Sequence, residues 1–173
     1  MKNSLESYAD IDAKVYAALS FTFAQYYRRK DDHENFYQSS LTYLAYTPAN
    51  ELTMDERKDI CTKIGMSVLL GKNIFNITEL LDKEVLHSLQ GSNFQWLYDL
   101  LISLGRGDIA GFEDAIKRHN ATIDKIVPIK NNVEHLKHKV RIVQFLELLF
   151  EMNKDERSLP FALIAQRCSL ELD

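Results

Sequence analysis

The sequence predicts an all-α fold built from short helical hairpins stacked side by side. The chain has 173 residues, of which 46% are hydrophobic and 27% charged, the balance of a globular protein. It has only three Pro and six Gly, and these fall mainly between long helix-forming runs. Within the runs, apolar residues recur at three- and four-residue steps, which places them on one helical face. Residues able to cap helix N-termini precede the runs: Asp32, Thr53, Asn76, Ser92 and Asp108.

The first hairpin is predicted to consist of a helix over residues 5–30 and a second over residues 33–46. Pro48 prevents the second helix from continuing, because its ring restricts the preceding residue and it lacks an amide hydrogen. The apolar face of the first helix carries Tyr8, Ile11, Val15, Leu19 and Tyr26. Part of one tetratricopeptide repeat pattern is matched by Phe23, Ala24, Tyr27 and Pro48. The second half of the hairpin departs from that pattern.

The middle of the chain contains several predicted helix ends. Capping boxes are expected for three pairs of residues, Thr53 with Glu56, Asn76 with Glu79, and Ser92 with Gln95. Gly71 is expected to close the helix before it in a left-handed conformation, and Gly105 to stop the helix that Ser92 starts. Asp108 caps a further helix. The longest late helix is predicted from Pro128 to about Met152, a length of ~37 Å.

One contiguous core is predicted from the periodic apolar positions of these helices. Trp96, the single Trp, is expected in this core rather than as an exposed interface anchor, because it lies within an apolar helix. The predicted core residues are Leu69, Leu70, Leu80, Leu81, Leu97, Leu101 and Phe112.

No set of residues in the sequence indicates catalysis or a cofactor. His135 and His138 are three residues apart on a predicted helix, but zinc sites usually have three or four protein ligands, so we expect solvent-facing histidines. Cys61 and Cys168 have no nearby His or Asn to activate a thiolate, so inert packing and a reducing compartment are predicted. The sequence has no nucleophile elbow and no phosphate-binding loop.

The charge pattern argues against nucleic-acid and membrane partners. The formal net charge is −4, whereas a nucleic-acid-binding protein normally has a basic face. There is no uncharged apolar run of about 18 residues, and the first residues do not resemble a signal peptide. The late helix is nevertheless basic, and we expect either a solvated polar face or a surface for an acidic partner. Its basic residues are Lys130, Lys137, Lys139 and Arg141.

Several short blocks between residues 64 and 112 carry a family resemblance. The blocks are Ser67-Val68-Leu69-Leu70-Gly71, Ile74-Phe75-Asn76, Glu79-Leu80-Leu81, Leu86-x-Ser88-Leu89 and Gln95-Trp96-Leu97. In this order and spacing the chain resembles the PCI-domain subunits of the proteasome lid. The nearest resemblance is to the family of non-ATPase subunit nine, counted as subunit thirteen in mammals. Near the end, residues 158–165 resemble the first helix of a PCI winged helix, with Pro160 and Ala162 departing from the family pattern.

The resemblance implies a TPR-like helical-hairpin solenoid that leads into the start of a PCI winged helix. It divides the chain into a TPR-like hairpin at 1–50, a PCI helical-repeat bundle at 51–153 and a truncated winged-helix start at 154–173. It also implies that family members have further hairpins before this start and the rest of the winged helix after this end. We then expect the apolar side chains near the end to fold back on the long helix near Phe145 and Leu149, to be exposed, or to meet a neighbouring molecule.

The implied function is that of a non-catalytic scaffold in the cytoplasm and nucleus, serving ubiquitin-dependent degradation. The implied partners are other PCI subunits of the lid, with the deubiquitinase-bearing subunit pair and a ubiquitin receptor nearby. The chain itself is also expected to self-associate weakly through its C-terminal apolar patch. The predicted partner-binding residues are Lys130, Lys137, Arg141, Leu163, Ile164 and Leu170.

Three alternatives remain at this point. The first is a PCI subunit of the signalosome or of the translation-initiation machinery, against which the block from Phe75 to Trp96 argues. The second is a nucleic-acid-binding helical protein, whose binding would depend steeply on salt. The third is an enzyme, for which we find no residue set.

Overall fold

The computed structural model describes residues 13–151 and 160–169, and every regular element within them is a helix. The α-helices are α1 (Ala13–Arg29), α2 (His33–Tyr46), α3 (Met54–Leu70), α4 (Thr78–Leu81), α5 (Gln95–Gly105), α6 (Ile109–Arg118), α7 (Asn120–Ile123), α8 (Val127–Lys130), α9 (Val133–Glu151) and α10 (Phe161–Cys168). Two 3-10 helices, Ala49–Glu51 and Glu84–Leu89, lie between them. The predicted all-α fold class is confirmed. The start predicted for the first helix, at Leu5, lies outside the described residues.

The first hairpin forms as predicted over its described residues. Asp32 caps α2 by accepting a hydrogen bond from the Asn35 amide at 3.0 Å. The chain reverses at Asp31, whose φ of 53° is left-handed. Along the hairpin, Tyr16 stacks on Tyr46 with ring centroids 5.2 Å apart, so aromatic contacts join its two helices.

The predicted capping boxes have different outcomes. Thr53 and Glu56 form one, because the Thr53 amide donates to Glu56 Oε2 at 2.8 Å and the Glu56 amide to Thr53 Oγ1 at 3.3 Å. The other two predictions are wrong. Asn76 accepts from the Thr78 amide, and Ser92 from the Phe94 amide, each only two residues ahead at 3.1 Å. These side chains close tight local turns, and the helices begin later in the chain.

The glycines of the middle region differ from expectation in one respect. Gly71 follows α3 in an extended conformation, with φ −67° and ψ 131°, so the predicted left-handed closure is wrong. A Cβ atom at this position would lie 2.8 Å from the Ser67 carbonyl oxygen, which indicates that Gly71 is required for close approach. Gly105 ends α5 as predicted, and the left-handed residue of the turn after it is Gly107.

The predicted continuous late helix is interrupted. Its first turn is α8, and α9 begins only at Val133 after a break at Asn131 and Asn132. The Asn132 side chain donates to the Pro128 carbonyl oxygen at 2.8 Å, a local bond that competes with helix continuation. Met152, the predicted end, lies outside the described residues.

The helices pack mainly on their neighbours in sequence, and their buried faces share one core. The hairpin packs through α2 on α3, α3 packs on α5, α5 on α6, and α9 packs against α5, α6 and α10. Of the predicted core residues, Leu69, Leu80, Leu97, Leu101 and Phe112 are fully buried, while Leu70 and Leu81 are partly buried against the same cluster. Trp96 is buried as predicted.

Candidate partner-binding surface

The predicted partner-binding residues that the structure describes do not form one surface. Lys130 is paired with Asp124, with Nζ and Oδ1 3.0 Å apart, and Lys137 is hydrogen-bonded to Glu134 at 2.7 Å. The Lys137 ammonium lowers the pKa of the Glu134 carboxyl through this hydrogen bond. Both lysines are thus engaged in local surface pairs, which contribute little to stability. Leu170 lies outside the described residues.

The remaining three predicted residues, Arg141, Leu163 and Ile164, lie where α10 packs back on α9. Between these helices runs a groove of about 500 Å³, which we call the α9–α10 groove. Its lining residues are His138, Arg141, Ile142, Phe145, Phe161, Ile164 and Cys168. The groove therefore contains Arg141 and Ile164, while Leu163 is 36% exposed beside it.

The α9–α10 groove is a largely apolar surface that is exposed to solvent. Phe161 is 82% exposed and Ile142 is 43% exposed. Of the fates considered for the C-terminal apolar residues, α10 folds back on α9, yet apolar surface stays open to solvent. The lining also includes the side chains of Arg141 and His138. Large exposed apolar patches commonly mark protein–protein contact sites.

Arg141 has an unusual environment within this groove. Its Nε atom is buried and has no hydrogen-bond partner among the described residues. An unsatisfied buried donor is unfavourable, but an atom without solvent access is not open to an acceptor from a binding partner.

The two cysteines are packing residues, as the sequence predicts. Cys61 is fully buried, and burial raises the pKa of its thiol to about 12. Burial also raises the pKa of the Cys168 thiol, although the nearby Arg141 guanidinium partly opposes this shift. Both thiols are therefore held in the protonated form, which is a poor nucleophile.

His135 and His138 are both exposed on α9. Among residues 13–151 and 160–169, no three His, Cys, Asp or Glu side chains gather closely enough to hold a metal ion. The two histidines are consequently described as surface residues of the long helix.

Lys139 corrects the expectation of a solvated basic face. Its side chain is 1% exposed, and Nζ donates to the carbonyl oxygens of Val68 at 2.5 Å and Gly71 at 2.7 Å. A signal for this burial was present in the sequence. Position 139 is three residues after Leu136 and four before Val143, both buried, so it lies on the apolar face of α9.

A cluster around Asp99 was also missed by sequence reasoning. The Asp99 carboxylate is 2.8 Å from His119 Nε2 and 3.2 Å from an Arg118 guanidinium nitrogen, and it accepts from Gln95 Nε2 at 2.7 Å. Gln95 is four residues away on the same helix, but Arg118 and His119 are 19 and 20 residues away, so no local motif predicts those two contacts. This cluster joins α5 to the end of α6 and is structural in character.

Helices that pack on their neighbours around a continuous core define an α-helical repeat protein. Within the described part of the chain, no helix combines the length and the apolar character needed to cross a membrane. The family model described as PSD13 N-terminal repeats matches residues 1–101. The chain belongs to this family.

Curated relatives cover nearly the whole chain. It is 34% identical over 172 residues to the Arabidopsis thaliana 26S proteasome non-ATPase regulatory subunit 13 homolog A, matching 99% of this chain and 45% of the relative. It is 30% identical to 26S proteasome non-ATPase regulatory subunit 13 of Dictyostelium discoideum, over 99% of this chain and 44% of the relative. It is also 30% identical to the Saccharomyces cerevisiae 26S proteasome regulatory subunit RPN9, over 100% of this chain and 43% of the relative. The chain thus spans less than half the length of these relatives.

Proposed function

We propose that this chain is part of a non-catalytic scaffold subunit of the 26S proteasome lid, supporting regulatory-particle assembly and ubiquitin-dependent protein degradation. The observation that carries the proposal is the similarity of almost the entire chain to relatives named as proteasome regulatory subunits. A stack of helices suits this role, because repeats that bury one face against each other leave long surfaces for partners.

The proposed partners are other PCI subunits of the lid, with the deubiquitinase-bearing subunit pair and a ubiquitin receptor nearby. The proposed location is the cytoplasm and nucleus. Among the available surfaces, the α9–α10 groove is the best candidate contact, since it combines exposed aromatic and aliphatic side chains with the basic side chain of Arg141. Weak self-association of this chain would use the same groove.

We propose that the chain is divided into three segments, with boundaries at residues 50 and 153. The 3-10 helix Ala49–Glu51 supports the first boundary, because it separates the hairpin from α3. On this division, residues 1–50 are a TPR-like hairpin, residues 51–153 a PCI helical-repeat bundle, and residues 154–173 the start of a winged helix.

Reconstitution of the lid tests the proposal. We expect the longer parent protein carrying this chain to co-purify with the other lid subunits. An Ile142→Asp substitution in the α9–α10 groove should reduce that recovery. Met54→Asp is the matched control, because Met54 is 55% exposed at the first turn of α3, where an acidic residue is favourable.

Two outcomes would count against different parts of the proposal. If the parent protein does not enter the lid at all, the scaffold function is wrong. If Ile142→Asp and Met54→Asp are recovered equally well, the function stands and the partner surface lies elsewhere on the helical stack. A comparison of this chain with an extended version through the full winged helix then shows which segment carries the contact.

A further inference from the structure

The segment that follows α3 is held by side chains from two helices that are far apart in sequence. We call residues 71–77 the α3 loop. From α2, Glu34 Oε1 accepts hydrogen bonds from the amides of Lys72 at 2.9 Å and Asn73 at 3.2 Å. The buried Tyr37 hydroxyl, also on α2, lies 3.5 Å from the Asn76 carbonyl oxygen.

The opposite side of the same segment is held by α9. Lys139 Nζ donates to the carbonyl oxygens of Val68 and Gly71 and lies 5.8 Å from the centroid of the Phe75 ring. The last carbonyl groups of a helix have no intrahelical donor and carry partial negative charge, so a cation is favourable there. Lys139 supplies that cation from 68 residues away, counted to Gly71.

Glu34 and Lys139 together replace one helical hydrogen bond. Continuation of α3 would require the Lys72 amide to donate to the Val68 carbonyl oxygen. In the structure the Glu34 carboxylate takes this amide, and the Lys139 ammonium takes this carbonyl. An anion from α2 and a cation from α9 therefore occupy the two halves of a single broken hydrogen bond, and each stabilises the geometry that the other requires.

The electrostatics of the two groups support this linkage. Burial opposes ionisation of Glu34, but the hydrogen bonds from the Asn73 amide, its own amide and the Lys72 amide together outweigh it and lower the pKa of the carboxyl. Burial lowers the pKa of Lys139, and the Glu34 carboxylate partly opposes that shift by favouring the ammonium. The Glu34 carboxylate is thus close enough to favour the charged form of Lys139.

The α3 loop connects two parts of the chain, the first hairpin and α9, through hydrogen bonds. The first hairpin packs on α3, whereas α9 packs on α5, α6 and α10, and the described residues of the hairpin and α9 share no extensive helix–helix interface. The α3 loop is therefore where the two ends of the helical stack are joined by hydrogen bonds.

We propose that Glu34 and Lys139 form a two-sided clamp on the α3 loop, which couples the N-terminal hairpin to α9 and holds the helical stack as one body. The clamp acts within the chain and does not depend on the partner that the chain binds. Loosening the α9 side should therefore release contacts on the α2 side, although Lys139 forms no hydrogen bond with Lys72 or Asn73.

Amide hydrogen exchange measured by NMR on the 173-residue chain tests this clamp. In Lys139→Met, the Lys72 and Asn73 amides should exchange faster by roughly tenfold or more, as expected for local opening. Lys137→Met is the matched control, because it removes a neighbouring lysine of α9 whose partner is a surface carboxylate. It should leave both amides as protected as in the wild type. If Lys139→Met does not fold, the same measurement is made on Lys139→Gln, which keeps a donor group for the carbonyl oxygens.

A double-mutant cycle gives a second readout. The changes in the free energy of unfolding caused by Glu34→Gln and Lys139→Met should not add, because the second substitution acts on an already loosened loop. Equal exchange of Lys72 and Asn73 in the position 139 and position 137 variants would overturn the clamp. Strict additivity in the cycle would overturn it as well.

Discussion

Gly107 approaches α9 so closely that a Cβ atom on it would lie 2.7 Å from the Cα atom of Gln144. The close atoms belong to the backbone of α9, so they cannot rotate away as a side chain would. Gly107 also has a φ of +62°, a left-handed conformation that a residue with a side chain adopts at a free-energy cost. The absence of a side chain at Gly107 therefore allows the turn between α5 and α6 to pack closely on α9.

Gly107→Ala should lower the free energy of unfolding by ~2–4 kcal/mol, the sum of the left-handed backbone and the steric clash. Gly91→Ala is the control, since Gly91 has a φ of +65° but nothing within 4 Å of the added Cβ atom. The free energy of unfolding of Gly91→Ala should fall only by the cost of the left-handed backbone, ~1–2 kcal/mol. Urea unfolding of both variants gives the comparison, and equal losses would mean that α9 shifts to accommodate the methyl group.

Leu97 lies at the centre of the core, where it is fully buried in α5. Leu97→Ala should reduce the free energy of unfolding by ~2–5 kcal/mol, because it removes apolar contacts and leaves a cavity. Leu149→Ala, at a position 42% exposed on α9, should change it by no more than about 0.5 kcal/mol. Chemical denaturation distinguishes the two, and a small loss for Leu97→Ala would contradict the central position of that side chain.

Local signals in the sequence predicted the helices well. Asp32, Thr53 and Asp108 cap the helices that they precede, because an N-cap needs only its own side chain and an amide a few residues ahead. The same reasoning was wrong at Asn76 and Ser92. Polar side chains there could also close a two-residue turn, and the tertiary contacts of the following segment decide between the two.

The candidate partner surface was harder to predict, because it depends on which side chains tertiary contacts remove from solvent. Lys139 was grouped with Lys137 by its charge, yet it is buried against carbonyl groups whose chain position gives no hint of the contact. Arg141 and Ile164 were predicted and do line one groove. Their proximity follows from the return of α10 onto α9, which periodicity alone does not reveal.

The exposed pair His135 and His138 allows a test of metal binding. We expect chelators to leave the thermal midpoint unchanged and stoichiometric zinc to raise it by less than a degree or two, because two imidazoles without further ligands bind zinc weakly. Differential scanning fluorimetry measures both effects, with a His138→Ala variant as the control. A rise of several degrees that this variant abolishes would contradict the prediction.

Burial of Lys139 should make the stability of the chain depend on pH in a defined direction. Burial lowers the pKa of the folded lysine to about 8, below its ordinary value of 10.5, so the unfolded chain binds more protons between these two values. Stability attributable to this group therefore rises as the pH rises through that window. The Cys61 thiol and the Tyr37 hydroxyl act in the opposite direction at higher pH, because burial raises the pKa of each.

The informative interval is therefore pH 8 to 9, because the ordinary pKa of the Cys61 and Cys168 thiols, 9.0, is reached only at its end and that of the phenol, 10.0, lies beyond it. Across it the lysine should contribute an increase of about 1 kcal/mol to the free energy of unfolding, and because the two thiols oppose part of it, the wild type should gain about 0.5 kcal/mol. The increase should persist in Lys137→Met, which keeps the buried lysine, and disappear in Lys139→Met, which has no titratable group at that position. Urea unfolding at each pH measures the slope. A wild-type stability that falls between pH 8 and 9, or an unchanged slope in Lys139→Met, would mean that this lysine is not the group that titrates.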